Sequence, residues 1–193
     1  SYQTMKLLHF SDAHIDMANF GRHDPETGLP LRVLDFLRSL DEIIEAAINE
    51  KVDLVLFAGD AYKDRSPSPT FQREWGRRII RLSKAGIRTL LLVGNHDLSP
   101  ALGRAHAIQE FETLDIPHVT VLAKPQFLSS AELGLPVQVI ALPWISRSGL
   151  IAATDAAPGE PMAAFITIFS LCGPCGLTAF TSPLPLMYDS MNF

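Results

Sequence analysis

The chain has 193 residues, enough for one sizeable core or one core plus a tail, and 47% hydrophobic against 19% charged residues excludes disorder along its whole length. A formal net charge of -5 excludes a protein that coats nucleic acid through a generally basic surface, while leaving room for a local basic face. Two cysteines exclude a disulfide scaffold and place the chain in the reducing, cytoplasmic class.

At the start, Lys6, His9 and Asp12 interrupt the apolar residues, so the segment lacks the uncharged core of a signal peptide. Met5 reads as the native start, with the four residues before it left over from cloning or from an upstream start. Lys6 to Phe10 (KLLHF) is the first of three short apolar runs; Asp53 to Ala58 (DLVLFA) and Thr89 to Val93 (TLLLV) are the others. Such runs suit strands buried on both faces. His9, inside the first of them, is expected as a packed core residue. His23, in a loop rich in Pro and Gly, is expected to face solvent.

Between the runs the period changes to that of a helix. Val33, Leu37, Leu40, Ile44 and Ile48 recur every three or four residues from Leu31 to Ile48, with Pro30 suited to the first turn. A second helix is predicted from Ser68 as cap and Pro69 as first helical residue. Its apolar stripe is Phe71, Trp75, Ile79 and Leu82, its basic stripe Arg73, Arg77, Arg81 and Lys84, and Gly86 is its stop. A shorter helix is predicted from Gly103 to Leu114, then strands at Val119 to Leu122 and Val137 to Leu142. Alternating strands and helices indicate an α/β sheet with covering helices.

After Arg147 there is no Lys or Arg, and from Met162 to Met187 no charged residue at all. Gly and Pro break that stretch too often for a transmembrane helix. Residues 1–147 are therefore read as the N-terminal part of a domain, and residues 148–193 as a separate, atypical apolar tail of uncertain origin, either a natural ending or a shifted reading frame. Cys172 and Cys175 in that tail have the spacing of a dithiol or half a zinc site, but neither the flanking elements nor further ligands, and chance is the simpler reading.

Each apolar run ends in residues able to hold a metal: Ser11-Asp12-Ala13-His14, Gly59-Asp60, and Gly94-Asn95-His96-Asp97. Functional groups of open α/β sheets gather at the carboxyl ends of the strands. A lone Asp-x-His or Gly-Asp would suit a cap or a loop equally well; three such endings in order, each straight after a strand-like run, would not. Carboxylate, imidazole and amide oxygen without thiolate suit Mn²⁺, Fe²⁺ or Zn²⁺. Asp60 is placed to bridge two ions, and Gly59 and Gly94 permit the close approach of backbone that this requires.

These phrases, LLHFSDAHID, VDLVLFAGDAYKDRSPSP, TLLLVGNHD and the later VIALPWISR, resemble the calcineurin-like metallophosphoesterase superfamily over about Met5 to Arg147. The finer resemblance is to SbcD-type nucleases, DNA-repair exonuclease subunits that work with an SbcC-type ATPase. The resemblance implies a two-sheet sandwich flanked by helices, incomplete here in its C-terminal half. It implies metal-dependent phosphodiester hydrolysis, most simply of DNA, and a homodimer. In this scheme Asp12 and His14 hold the first ion, Asp60 bridges, and Asn95 holds the second. His96 faces the scissile phosphate, and Asp97 orients His96 from behind.

Two departures follow. Relatives carry a further His where this chain has Lys63, and their later histidines have no counterpart, since no His follows His118. The first metal position, with Mn²⁺ as the expected ion, is therefore favoured over the second. A non-catalytic domain of the same fold, or a phosphoesterase acting on nucleotides or phosphoproteins, is the alternative. His106 and His118 match no motif and are expected on the surface. Eight of the 16 basic residues fall between Lys63 and Arg88. Lys63 and Arg65, directly after Gly59-Asp60, are the candidates for substrate contact, whereas Arg73, Arg77 and Arg81 are read as a solvated helix face.

Overall fold

The computed structural model describes residues 5–15, 22–98 and 105–144, and the backbone of two further strands at 165–171 and 177–183. Strands β1 (Leu7–Phe10), β2 (Leu54–Phe57), β3 (Arg88–Leu92) and β4 (Val119–Leu122) form one parallel sheet in the order β1-β2-β3-β4. The crossovers between them carry α1 (Leu31–Asn49), α2 (Pro69–Lys84) and the short α3 (Glu110–Thr113). Because the strands add in sequence and parallel crossovers share one hand, all three helices fall on the same face.

Alternation along the strands sorts the core into two parts. Val55, Phe57, Leu91 and Val93 face the helices, packing with Val33, Leu37 and Ile44 of α1 and Phe71, Trp75 and Ile79 of α2. Leu54, Leu56, Leu90 and Leu92 face the other way, against Val137, Val139 and Ala141. Those last three belong to β6 (Val137–Leu142), the second strand of an antiparallel sheet ordered β5 (Gln126–Leu128), β6, β7 (Phe165–Leu171), β8 (Leu177–Pro183). The result is three layers: helices, parallel sheet, antiparallel sheet. The fold is the α/β sandwich that the sequence leads one to expect.

Several elements stand as predicted. Ser68 stands at the N-cap position of α2 without a side-chain capping bond, Pro69 opens the helix, and Gly86 follows its end with a φ of 72°. The apolar stripe of α2 is buried, with Trp75 fully enclosed and its ring 4.7 Å from that of Phe57. Pro30 differs slightly: at φ -58° and ψ 137° it is the cap residue of α1 and not part of the first turn. The third helix is only one turn, and Gly103, its predicted start, lies outside the described residues. The boundary after Arg147 and the Cys172–Cys175 pair also lie outside them, while β7 and β8 fall within the segment read as a tail and pair with β6 and with each other.

Three expectations are corrected. β2 is buried throughout, but among the described residues β1 is the sheet's edge strand, and His9 is exposed on it rather than packed in the core. On the basic face of α2, Arg73 and Arg77 are exposed as expected, but Arg81 is not simply solvated. Arg81 donates to Asp41 (2.8 Å) and Glu45 (3.3 Å) of α1, and Arg73 and Arg77 close on Glu74. Between the helices, Arg78 is buried and donates to Asp41 at 2.6 Å and Glu74 at 3.3 Å. Finally, β5 and the one-turn α4 (Ser130–Leu133) have no counterpart in the predicted elements. Among the described residues no helix is long and apolar enough to cross a membrane.

Candidate metal centre

The carboxyl ends of β1, β2 and β3 lie side by side, and the parallel pairing of β1 with β2 continues past both strands. The N–H of Asp12 donates to the Gly59 carbonyl (3.0 Å), that of His14 to Asp60 (3.1 Å) and that of Ile15 to Ala61 (3.1 Å). The two loops therefore leave the sheet as a paired ribbon. Within it Asp12, His14 and Asp60 take left-handed backbone, with φ of 56°, 39° and 64°. Such conformations cost on the order of 1 kcal/mol or more each and persist where the surroundings impose them.

Their side chains converge. His14 Nε2 lies 3.3 Å from Asp12 Oδ1, and one ligand atom from each of Asp12, His14 and Asp60 falls within 4.8 Å of the others. Ligands of one transition-metal ion stand about 3–4 Å apart, so the trio is close to the spacing that an ion requires. The donor set, two carboxylates and an imidazole, suits Mn²⁺, Fe²⁺ or Zn²⁺. Asp60 is 5% exposed, and burial pushes its carboxyl above the usual carboxylate range despite the opposing pull of the His96 N–H and the nearby imidazoles. A buried carboxylate in that condition is relieved by a cation. The residues present therefore fit a divalent ion at this position.

Two glycines make the convergence possible. A β-carbon on Gly59 would come 2.8 Å from the Gly94 Cα, and one on Gly94 would meet the Asp60 carboxylate and lie 2.6 Å from the Asp60 nitrogen. Gly59, at a φ of 105°, also occupies backbone that only glycine takes readily. The turns after β2 and β3 are thus pressed against each other, which sets Asp60 beside the Gly94-Asn95-His96-Asp97 segment.

His96 is half-buried, with its ring 5.2 Å from that of His14 in an edge-to-face arrangement. Its N–H donates to Asp60 Oδ1 (2.9 Å), and its Nδ1 lies 2.8 Å from the carbonyl oxygen of Lys63. A carbonyl only accepts, so Nδ1 carries the proton and Nε2 is left to accept or, when the ring is charged, to give one. Asp97 was expected to orient this imidazole, but Lys63 does so through its backbone. The Asp97 carboxylate instead accepts the N–H groups of Asp60 (2.8 Å) and Gly94 (2.9 Å) on one oxygen and of Ala61 (3.0 Å) on the other. It is fully buried, and burial pushes its pKa up to about 6.

Asn95 is half-buried in the same turn, and Lys63 and Arg65 are exposed on the loop that leaves Asp60. His23 and His118 are exposed, as expected. His106 is half-buried ahead of α3, where burial lowers its pKa, so it is less of a surface residue than its motif-free setting suggests. The Lys63 carbonyl and the grip of Asp97 escaped the sequence reading. The first leaves no trace in residue type, while the second was visible only as an acidic residue after His96.

A family model described as calcineurin-like phosphoesterase matches residues 5–137. The DNA double-strand break repair protein Mre11 of Haloferax volcanii is 34% identical over 92 residues, which is 48% of this chain and 19% of that protein. The SbcD polypeptide of the nuclease SbcCD of Escherichia coli is 27% identical over 107 residues, 55% of this chain and 25% of the relative. The uncharacterized metallophosphoesterase YhaO of Bacillus subtilis is 31% identical over 94 residues, 48% of this chain and 23% of the relative. The chain thus covers a quarter or less of the length of these three proteins. The stretch matched by the family model runs from ahead of β1 to the first residue of β6, and so contains every loop of the centre; the chain belongs to the calcineurin-like phosphoesterase family.

Proposed function

We propose that the chain carries a metal-dependent phosphodiesterase centre of the SbcD type, acting on DNA. The observation that carries the reading is the convergence of Asp12, His14 and Asp60 beside a half-buried His96 whose Nδ1 is already committed to a carbonyl. Two of the relatives support the choice of substrate through their names, one as a DNA double-strand break repair protein and one as part of a nuclease. A partner ATPase of the SbcC type and a second copy of the chain belong to the same proposal.

Asp12, His14 and Asp60 would hold the first divalent ion, with Mn²⁺ the preferred identity. Asn95 would join Asp60 at a second position, which has fewer donors and is filled less readily. Bound there, a divalent ion supplies positive charge against the phosphate oxygens and an acidified water at neutral pH. His96 contributes through Nε2, stabilising charge that develops on the phosphate or protonating the departing oxygen. Hydrogen bonding of Nδ1 to Lys63 fixes the ring for that task at the cost of no further side chain. Lys63 and Arg65, exposed beside Asp60, would position the phosphate backbone.

A second reading rests on donor count. The resemblance assigns only Asp60 and Asn95 to the second ion, which favours a domain of this fold that binds without catalysis. Hydrolysis of bis-p-nitrophenyl phosphate and of linear DNA with Mn²⁺ separates the two. The chain should cleave both, and His96→Ala and Asp60→Asn should each lower the rate by about 10²-fold or more. Rates equal in the chain and both variants would leave the binding domain as the reading. Cleavage of small diesters without cleavage of DNA would move the substrate to nucleotides or phosphoproteins.

A further inference from the structure

The geometry points to Asp97 as a positioning residue that sets the metal centre by clasping two loops, and not as a partner of His96. This rests on the metal-centre reading above. The Asp97 carboxylate holds the N–H groups of Asp60 and Ala61, which belong to the loop after β2, and the N–H of Gly94, which belongs to the loop after β3. In return the Asp60 carboxylate accepts the N–H of His96 from the loop after β3 (2.9 Å). Each aspartate thus binds backbone from the other's loop. The three bonds that cross between the loops run in both directions, and they enclose the point where Gly59 meets Gly94.

Such a clasp acts on the site through place alone. Asp60 has left-handed backbone and would rotate its carboxylate away from Asp12 and His14 if its N–H were released. Asp97 is 0% exposed, so it cannot reach substrate, and its three accepted hydrogen bonds all go to main chain. The His96 imidazole has its own anchor in the Lys63 carbonyl. Loss of the clasp should therefore lower ion affinity.

The test uses Asp97→Asn in the full chain, with Asp97→Ala as the more severe variant. An amide in this place keeps the volume but turns an NH₂ toward at least one of the three N–H donors. Two readouts are taken: Mn²⁺ affinity by calorimetry, and amide hydrogen exchange at Asp60, Ala61 and Gly94. Asp97→Asn should weaken Mn²⁺ binding about tenfold, a size usual for groups that orient metal ligands. It should speed exchange at one or more of the three amides. A core variant of matched thermal stability, Ile79→Val, should leave Mn²⁺ affinity unchanged, which separates positioning from general loosening. Unchanged Mn²⁺ affinity in Asp97→Asn would overturn the inference. A parent chain that binds no Mn²⁺ would remove the metal-centre reading itself, while amide exchange would still show whether the clasp exists.

Discussion

Gly94 sits where no side chain fits, and the reason is its neighbour and not its own backbone. Its φ is not in the left-handed region, but an added methyl group would strike the Asp60 carboxylate. Gly86, beyond α2, is the opposite case: open space around it, with a φ of 72°. Gly94→Ala should therefore cost about 1–3 kcal/mol through overpacking and weaken Mn²⁺ binding with it. Gly86→Ala should cost about 1 kcal/mol through backbone strain with Mn²⁺ affinity intact. Thermal unfolding of both variants, with and without Mn²⁺, checks the contrast. At this scale the sequence was informative wherever chemistry resides in a side chain. Asp12, His14 and Asp60 follow apolar runs and are the residues that the fold gathers. It was silent where the contact is made by a peptide group, as with the Lys63 carbonyl. It misled where two acceptors compete, since an aspartate after a histidine can serve the ring or the loop.

The elements were legible to the extent that they are periodic. α1 and α2 declare themselves by apolar spacing and by their proline and glycine boundaries, and β2 and β3 by unbroken apolar runs. β5 has three residues, too few to show a period, and α4 is a single turn. A capping box at Ser129 and Glu132, closed by Gly134, was the available signal for α4. Spacing also cannot reveal what one helix does to the next. From the basic stripe of α2, Arg81 reaches α1, where Asp41 serves both it and the buried Arg78. Because the Arg78 side chain is only 9% exposed, Asp41→Ala should lower stability by about 3 kcal/mol, tempered by the remaining contact with Glu74. Asp35→Ala breaks the exposed pair with Arg38 and should change stability by less than about 0.5 kcal/mol. Urea denaturation of the two variants measures the difference.

For the whole molecule, the layering explains why the site lies where it does. Three crossovers on one face bring the carboxyl ends of β1, β2 and β3 to a common rim, while the antiparallel sheet closes the other side of the core. The rim is not symmetric, however. Asp12 and His14 follow β1, whose only lateral partner among the described residues is β2. Two of the three ligands thus travel with a strand that, among the described residues, is paired on one side alone. Ion binding and the docking of β1 are then one equilibrium: whatever frees the strand empties the site, and whatever fills the site fastens the strand. An ion at 100 times its dissociation constant would favour the docked form by about 2.7 kcal/mol. Amide exchange at Leu8 to Phe10 should accordingly slow by up to about a hundredfold when Mn²⁺ is added, while the amides of β3, enclosed on both sides, should not respond. Ion concentration would then govern the integrity of the sheet's margin, and the centre would act as a fastener as well as a place for chemistry.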